Sequence, residues 1–340
     1  MNPSSNGVAF VDSLAETVGQ LDAAAACGRE IAPQIDRVYM VSCGAGFWIM
    51  HGLQWWADSI AKNVDFRTFT SAEFMDLNPG KVDMATTLVI LLSKSGETKE
   101  TLEAAKSVKV MACKTVVFTQ SAQSQLAKYG DKKFFTGQTI QAFQAVFMLM
   151  QAFLGGIWEV KEQWQLLPKL LSSLAVFPAT LVSAAAKHED RGKNNAARYK
   201  QGDQIYLVAS GPGKLVSGAF GLCVLEEMLK LPIRLVDADQ FFHSTLEIAA
   251  KDTPHHFILI LTEDASRKQM ERLVDFCKQH GGPMEIYDTR EYVMEGIDPD
   301  IRAMVAPYVA EGALKPYALS LSGKTGRSLS ERKYMGRVAY

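Results

Sequence analysis

Ser93, Ser95 and Thr98 surround a single glycine, Gly96, in the stretch LLSKSGETKETLEAA at 91–105. An apolar run over 87–92 stops just before them, and a helical pattern follows. Three hydroxyls and a glycine where a strand hands over to a helix suit an anion. The first N–H groups of a helix are unpaired and carry partial positive charge. Hydroxyls add donors, and a glycine lets the backbone close on a ligand. Ser93, Ser95 and Thr98, with Lys94 and Gly96 between them, therefore form a candidate phosphate-binding loop. Capping by Ser93 or Ser95 explains the same residues without any ligand. No Walker lysine motif and no GxGxxG occurs, so the expected ligand is a small phosphorylated molecule rather than a nucleotide.

The segment CVLEEMLKLPIRLVDADQFFHSTLEI at 223–248 carries the candidate acid and base: Glu226, Glu227, His243 and Glu247. Moving a proton between neighbouring sugar carbons needs a carboxylate or imidazole beside them, and a second group to manage the oxygen. A glutamate–histidine pair serves both steps. The residues alone do not choose between Glu226 and Glu227, and solvated charge on a helix face explains either. Adjacent His255 and His256 point to opposite sides of a strand and make a poor chelate. No metal and no other cofactor is expected.

The elements that must position these groups come in two copies. RVYMVSCGAG (37–46) lies on QIYLVASGPG (204–213), and FRTFTSAEF (66–74) on IRLVDADQF (233–241), at a constant offset of 167. Each copy reads as a strand, a Gly-rich turn, a helix and another strand, which implies a parallel sheet covered by helices. At the same offset Ser93, Ser95 and Gly96 fall on Ile260, Thr262 and Glu263, so the second copy is expected to have lost the anion loop. Further strands are expected at KTVVFTQ, HFILILTED and MEIYD, and helices over about 97–110 and 265–280. The expected division is an N-terminal helical segment (1–34), a first domain (35–165), a helical linker (166–202), a second domain (203–313) and a tail (314–340).

Composition narrows the class. With 48% hydrophobic and 21% charged residues the chain has an ordinary globular core to bury. A net charge of −1 offers no field for nucleic acid or an anionic membrane. Five scattered cysteines without CxxC fit free thiols in the cytoplasm, and the N-terminus lacks a signal-peptide pattern. The apolar stretch 142–158 reads as a buried helix rather than a membrane span. It is more apolar than one small domain need cover, which predicts at least a dimer.

The two-copy layout, the SKSGET loop and the glutamate–histidine block resemble the sugar isomerase (SIS) family. VYMVSCG (38–44), FFHSTLEI (241–248) and the terminal RKYMGRVAY (332–340) resemble its bacterial deglycases of 6-phosphorylated fructosamines. The resemblance implies an α/β fold of two SIS-type, doubly wound parallel-sheet domains related by internal duplication. It implies that 93–98 is the sugar-phosphate site. Because the family's catalytic glutamate stands sixteen residues before the histidine, it selects Glu227, with His243. It further implies substrate contacts from Cys43, Gly44 and Gly46, and a tail over the active site that brings Arg332 and Lys333. A homodimer or higher homo-oligomer is implied, with the active site at the subunit interface. The activity implied is a deglycase that splits a 6-phosphofructosyl amino acid into glucose 6-phosphate and a free amine. An aldose–ketose or amino-sugar phosphate isomerase or deaminase shares the early steps. A non-catalytic sugar-phosphate sensor is the reading from another class. The first 34 residues hold one helical pattern, too little for a DNA-binding segment. Gln240 stands where relatives often carry an acid, which points to a neutral or acidic amino acid rather than a lysine-type one.

Overall fold

The computed structural model describes residues 9–77, 82–139, 141–250, 255–335 and 337–338. The chain divides into two compact units: Met1–Ala179 with Gly296–Ile301, and Thr180–Glu295 with Arg302–Tyr340.

The first unit is built on a five-stranded sheet of order β2-β1-β3-β4-β5. The strands are β1 (Arg37–Ser42), β2 (Asp65–Thr70), β3 (Thr87–Leu92), β4 (Lys114–Thr119) and β5 (Lys132–Phe135), all paired in parallel. All six residues of β3 are buried, which is why the strand reads as an unbroken apolar run instead of an alternation. The short β5, Lys-Lys-Phe-Phe, was not foreseen; only Phe134 in it is buried.

Helix Ala142–Glu162 forms the core of this unit, and helix Leu21–Ile31 packs closely on it. A Cβ on Gly28 would lie 2.1 Å from the Phe153 carbonyl oxygen, and one on Gly156 2.1 Å from that of Ala25. Of the most apolar window of Ala142–Glu162, 83% is buried within the chain. That burial bears out a core helix and removes the argument that its apolar surface calls for a second subunit. Helix Leu167–Lys187 also has the length and composition to cross a membrane. Its buried positions Leu167, Leu170, Leu174, Phe177, Leu181 and Ala184 form one stripe, while Lys169, Ser172 and Lys187 are exposed, as in an amphipathic helix of a globular protein.

The second unit repeats the plan with a four-stranded parallel sheet of order β7-β6-β8-β9. Its strands are β6 (Gln204–Ala209), β7 (Ile233–Asp237), β8 (His255–Leu261) and β9 (Met284–Asp288). The duplication is visible in the pairing. Val38 faces Phe66 in the first sheet as Ile205 faces Ile233 in the second, an offset of 167 in both strands. The offset does not persist. Val38 pairs with Leu88 but Ile205 pairs with His256, so the third strand is displaced by 168. Ser93, Ser95, Gly96 and Thr98 therefore correspond to Leu261, Glu263, Asp264 and Ser266, not to the partners read from the constant offset.

The predicted helices appear as Lys99–Lys109 and Arg267–His280, and the charged linker as helix Glu189–Arg198. A last helix, Pro299–Thr325, runs through position 314, so the terminal segment beyond helical structure starts at Gly326.

Candidate functional site

In the first sheet β1 and β3 are neighbours whose following connections leave in opposite directions, the place where open parallel sheets bind ligands. The loop after β3 holds the predicted hydroxyls together. Ser93 and Thr98 hydroxyls lie 2.8 Å apart, and Ser93 and Ser95 3.5 Å apart. Ser93 Oγ accepts from Gly96 N–H at 3.1 Å, and Ser95 Oγ from Glu97 N–H at 3.1 Å. Gly96 has φ +68°, and a Cβ there would lie 2.4 Å from Ser124, so only glycine fits. Thr98 occupies the N-cap of helix Lys99–Lys109 yet makes no side-chain capping bond. Capping therefore accounts for none of the three: the N–H groups held by Ser93 and Ser95, those of Gly96 and Glu97, precede the helix, and the loop gathers three hydroxyls at a helix N-terminus. Lys94 is exposed, and its carbonyl accepts from Gln120 N–H at 2.9 Å.

The turn after β1 lies beside this loop. Ser42 Oγ donates to the Leu92 carbonyl at 2.7 Å, tying the ends of β1 and β3. Cys43 is half-buried, Gly44 forms the N-cap of helix Ala45–Ile60, and Gly46 lies against Ser42 and Leu92. A third loop, after β4, escaped the sequence reading. Ser124 packs on Gly96, Thr119 Oγ1 lies 3.2 Å from Ser124 Oγ, and Gln125 N–H donates to Glu97. The hydroxyl-rich run TQSAQSQ directly after a strand was its signal.

The corresponding loop of the second unit carries its own anion. Asp264 stands where the first copy has Gly96, and its carboxylate accepts from Ser266 N–H (2.9 Å), Ser266 Oγ (2.6 Å) and Thr262 Oγ1 (2.5 Å). Glu263, on the Ser95 position, pairs with Arg302. Two of the three hydroxyl positions are thus lost, to Leu261 and Glu263, and the remaining one, Ser266, is satisfied by Asp264. Asp264→Ala should lower stability by about 2–3 kcal/mol, because three buried donors lose their acceptor, while phosphate affinity stays unchanged. Denaturant unfolding together with a phosphate titration checks both.

Glu227 follows a π-helical stretch, Ala219–Glu226. Its N–H donates to Leu222 O at 2.8 Å and that of Leu229 to Val224 O at 3.1 Å, both i→i−5 bonds. Such insertions rotate the residues beyond them and collect at functional sites. Glu226 is exposed; Glu227 is half-buried, with Oε1 2.5 Å from Arg332 Nε. The terminal segment is anchored at the same helix end. Arg327 Nη1 donates to the carbonyls of Leu229 (2.8 Å) and Lys230 (2.7 Å), and Lys230 Nζ to that of Glu331 (2.8 Å). Lys333 is exposed, its Nζ 4.9 Å from the centre of the Tyr334 ring. Tyr340 lies outside the described residues.

His243 is not beside Glu227. The helix that carries Glu227 starts at the carboxyl end of β6, where Lys214 pairs with Asp237 at the end of β7. It runs back to the amino end of the sheet, so Glu227 precedes β7 and exposed His243 follows it. Four residue steps of strand alone separate the two by roughly 13 Å. Gln240 is exposed, and its side chain lies 3.4 Å from the carboxylate of Asp239. The loop therefore keeps a negative charge next to the glutamine. Among the described residues no group of three His, Cys, Asp or Glu is placed to hold a metal. Burial pushes the Cys27, Cys113 and Cys277 thiols up to about 11, so none of these three is a nucleophile at neutral pH.

The SIS-domain family model matches residues 34–154. Over 99% of its length the chain is 42% identical to an agropine synthesis conjugase of Rhizobium rhizogenes, covering 96% of that protein. The chain belongs to the SIS-domain family. A second SIS relative, a fructosamine deglycase of Bacillus subtilis (strain 168), is 28% identical over 90% of this chain and 93% of its own. A Bacillus subtilis crystal structure described as a candidate phosphosugar isomerase superposes with a TM-score of 0.87 at 26% identity, over 96% of this chain and 99% of that one. The expectation of an SIS enzyme built from two α/β units stands, and the loop at 93–98 lies within the family match.

Proposed function

We propose that this SIS enzyme is a cytoplasmic deglycase of 6-phosphofructosyl amino acids. The observation that carries the reading is the hydroxyl loop at 93–98, which lacks the internal carboxylate that Asp264 supplies in the duplicate. Ser93, Ser95, Thr98 and the N–H groups around Lys94 and Gly96 hold the phosphate. Cys43, Gly44 and Gly46 line the sugar side. Glu227 removes a proton from C1 of the ketosamine; a proton returned to C2 leaves an imine between C1 and the amine. Water adds at C1, the C–N bond breaks, and an aldose 6-phosphate and a free amine depart with no net oxidation. His243 protonates the leaving group or assists ring opening. Since Glu227 and His243 lie at opposite ends of one sheet, His243 is supplied by a second copy of the chain, and the enzyme is a homo-oligomer.

Ser95→Ala and Thr98→Ala test the loop. Each should raise KM for a phosphorylated ketosamine about tenfold, from the loss of a charge-assisted hydrogen bond, with kcat little changed. Equal turnover of phosphorylated and unphosphorylated ketosamines by the unaltered enzyme would overturn the phosphate assignment.

The 42% identity to a protein named for a joining step favours a second reading, in which the same proton transfers run towards condensation. Incubating glucose 6-phosphate with an amino acid and the enzyme distinguishes the two directions: net ketosamine formation supports the second. Glucosamine 6-phosphate is the control for the isomerase and deaminase readings.

A further inference from the structure

The guanidinium of Arg332 is only partly used. Its Nε holds Oε1 of Glu227 at 2.5 Å. Its Nη1 is buried and has no hydrogen-bond acceptor among the described residues. Arginine stays charged and presents its donors in a rigid fork, so one edge on Glu227 leaves the other aimed at a fixed place. Buried donors without an acceptor are few in folded proteins, and each calls for an explanation. Fraying does not supply one here, because Lys230 Nζ grips the Glu331 carbonyl and Arg327 grips the end of the helix.

Building on the deglycase reading, we propose that Arg332 is the specificity residue for the amine half of the substrate, its Nη1 edge receiving the carboxylate of the amino acid. The class of ligand follows from the donor. A planar guanidinium edge matches a carboxylate, and Arg332 already sits against the carboxylate that handles the proton at C1, the carbon bonded to the amine. A second carboxylate on one guanidinium shares its charge. An amino-acid adduct is then both bound by the guanidinium and held against the Glu227 carboxylate. Amines without a carboxylate gain neither effect.

The test uses two adducts that differ in that one group: 6-phosphofructosyl-glycine and 6-phosphofructosyl-methylamine. The unaltered enzyme should favour the glycine adduct by at least about tenfold in kcat/KM. In Arg332→Met the ratio should fall to near one, whatever the loss of kcat common to both adducts. Arg332→Lys keeps a cation for Glu227 but no fork, and its ratio should lie between. If Arg332→Met does not fold, the lysine variant decides by the same ratio. A ratio preserved in these variants, or absent from the unaltered enzyme, overturns the assignment and leaves the deglycase reading standing. Turnover of neither adduct by the unaltered enzyme overturns both.

Discussion

Glu227→Gln should lower kcat by about 10²–10⁴-fold, the usual contribution of a general base. The amide keeps the shape and a hydrogen-bonding oxygen but cannot take a proton from C1. The phosphate loop is untouched, so KM for a phosphorylated ketosamine should change little. Steady-state kinetics on a 6-phosphofructosyl amino acid, with substrate binding measured by calorimetry, separates the two terms. Glu226→Gln is the internal control: that side chain is exposed, and rotated away by the π-helical stretch, and its loss should be close to neutral. A Glu227→Gln enzyme with near-normal kcat would remove this residue from the chemistry. Retained ligand binding with no turnover in the unaltered protein would point instead to a sensor.

Mixing Glu227→Gln subunits with His243→Ala subunits should restore activity that neither variant has alone. If each site takes its glutamate from one copy and its histidine from another, a mixed dimer contains one intact site and one doubly altered site. Random reassortment makes half the dimers mixed, so about a quarter of the unaltered activity should return. The placement of the two residues at opposite ends of β7 motivates this experiment. Recovery of no activity after verified subunit exchange would mean that Glu227 and His243 do not work in one site across copies. Size measurements on the unaltered enzyme give the oligomer against which the recovery is judged.

Much of the architecture was legible because its signals are local. Strands of a parallel sheet buried on both faces read as apolar runs, and 88–92 and 257–261 are such runs. Hydroxyls flanking a glycine between a strand and a helix have few structural uses, so the 93–98 loop stood out before any coordinate was known. The duplication was visible because its first two strands keep one spacing. β5 was not legible: four residues with one buried side chain carry too little pattern to read.

Other features depended on which distant groups meet, and only the tertiary structure decided them. The offset changes from 167 to 168 before β8, and a slip of one residue reassigns every partner in the loop that follows. Composition alone could not show that Asp264 takes up the donors of the second loop, because a carboxylate in a turn is more often solvated. A glutamate and a histidine sixteen residues apart looked like a pair. The direction of the intervening strand separates them, since a strand carries what precedes and follows it to opposite edges of the sheet. The tail read as cationic, yet the pairing of Arg332 with Glu227 joins residues far apart in the chain, and no periodicity encodes such a contact. Residue types and spacing determined the fold and the hydroxyl–glycine loop, because both follow from neighbouring residues. The surroundings of the acid–base group were decided by long-range packing, which a linear pattern does not contain.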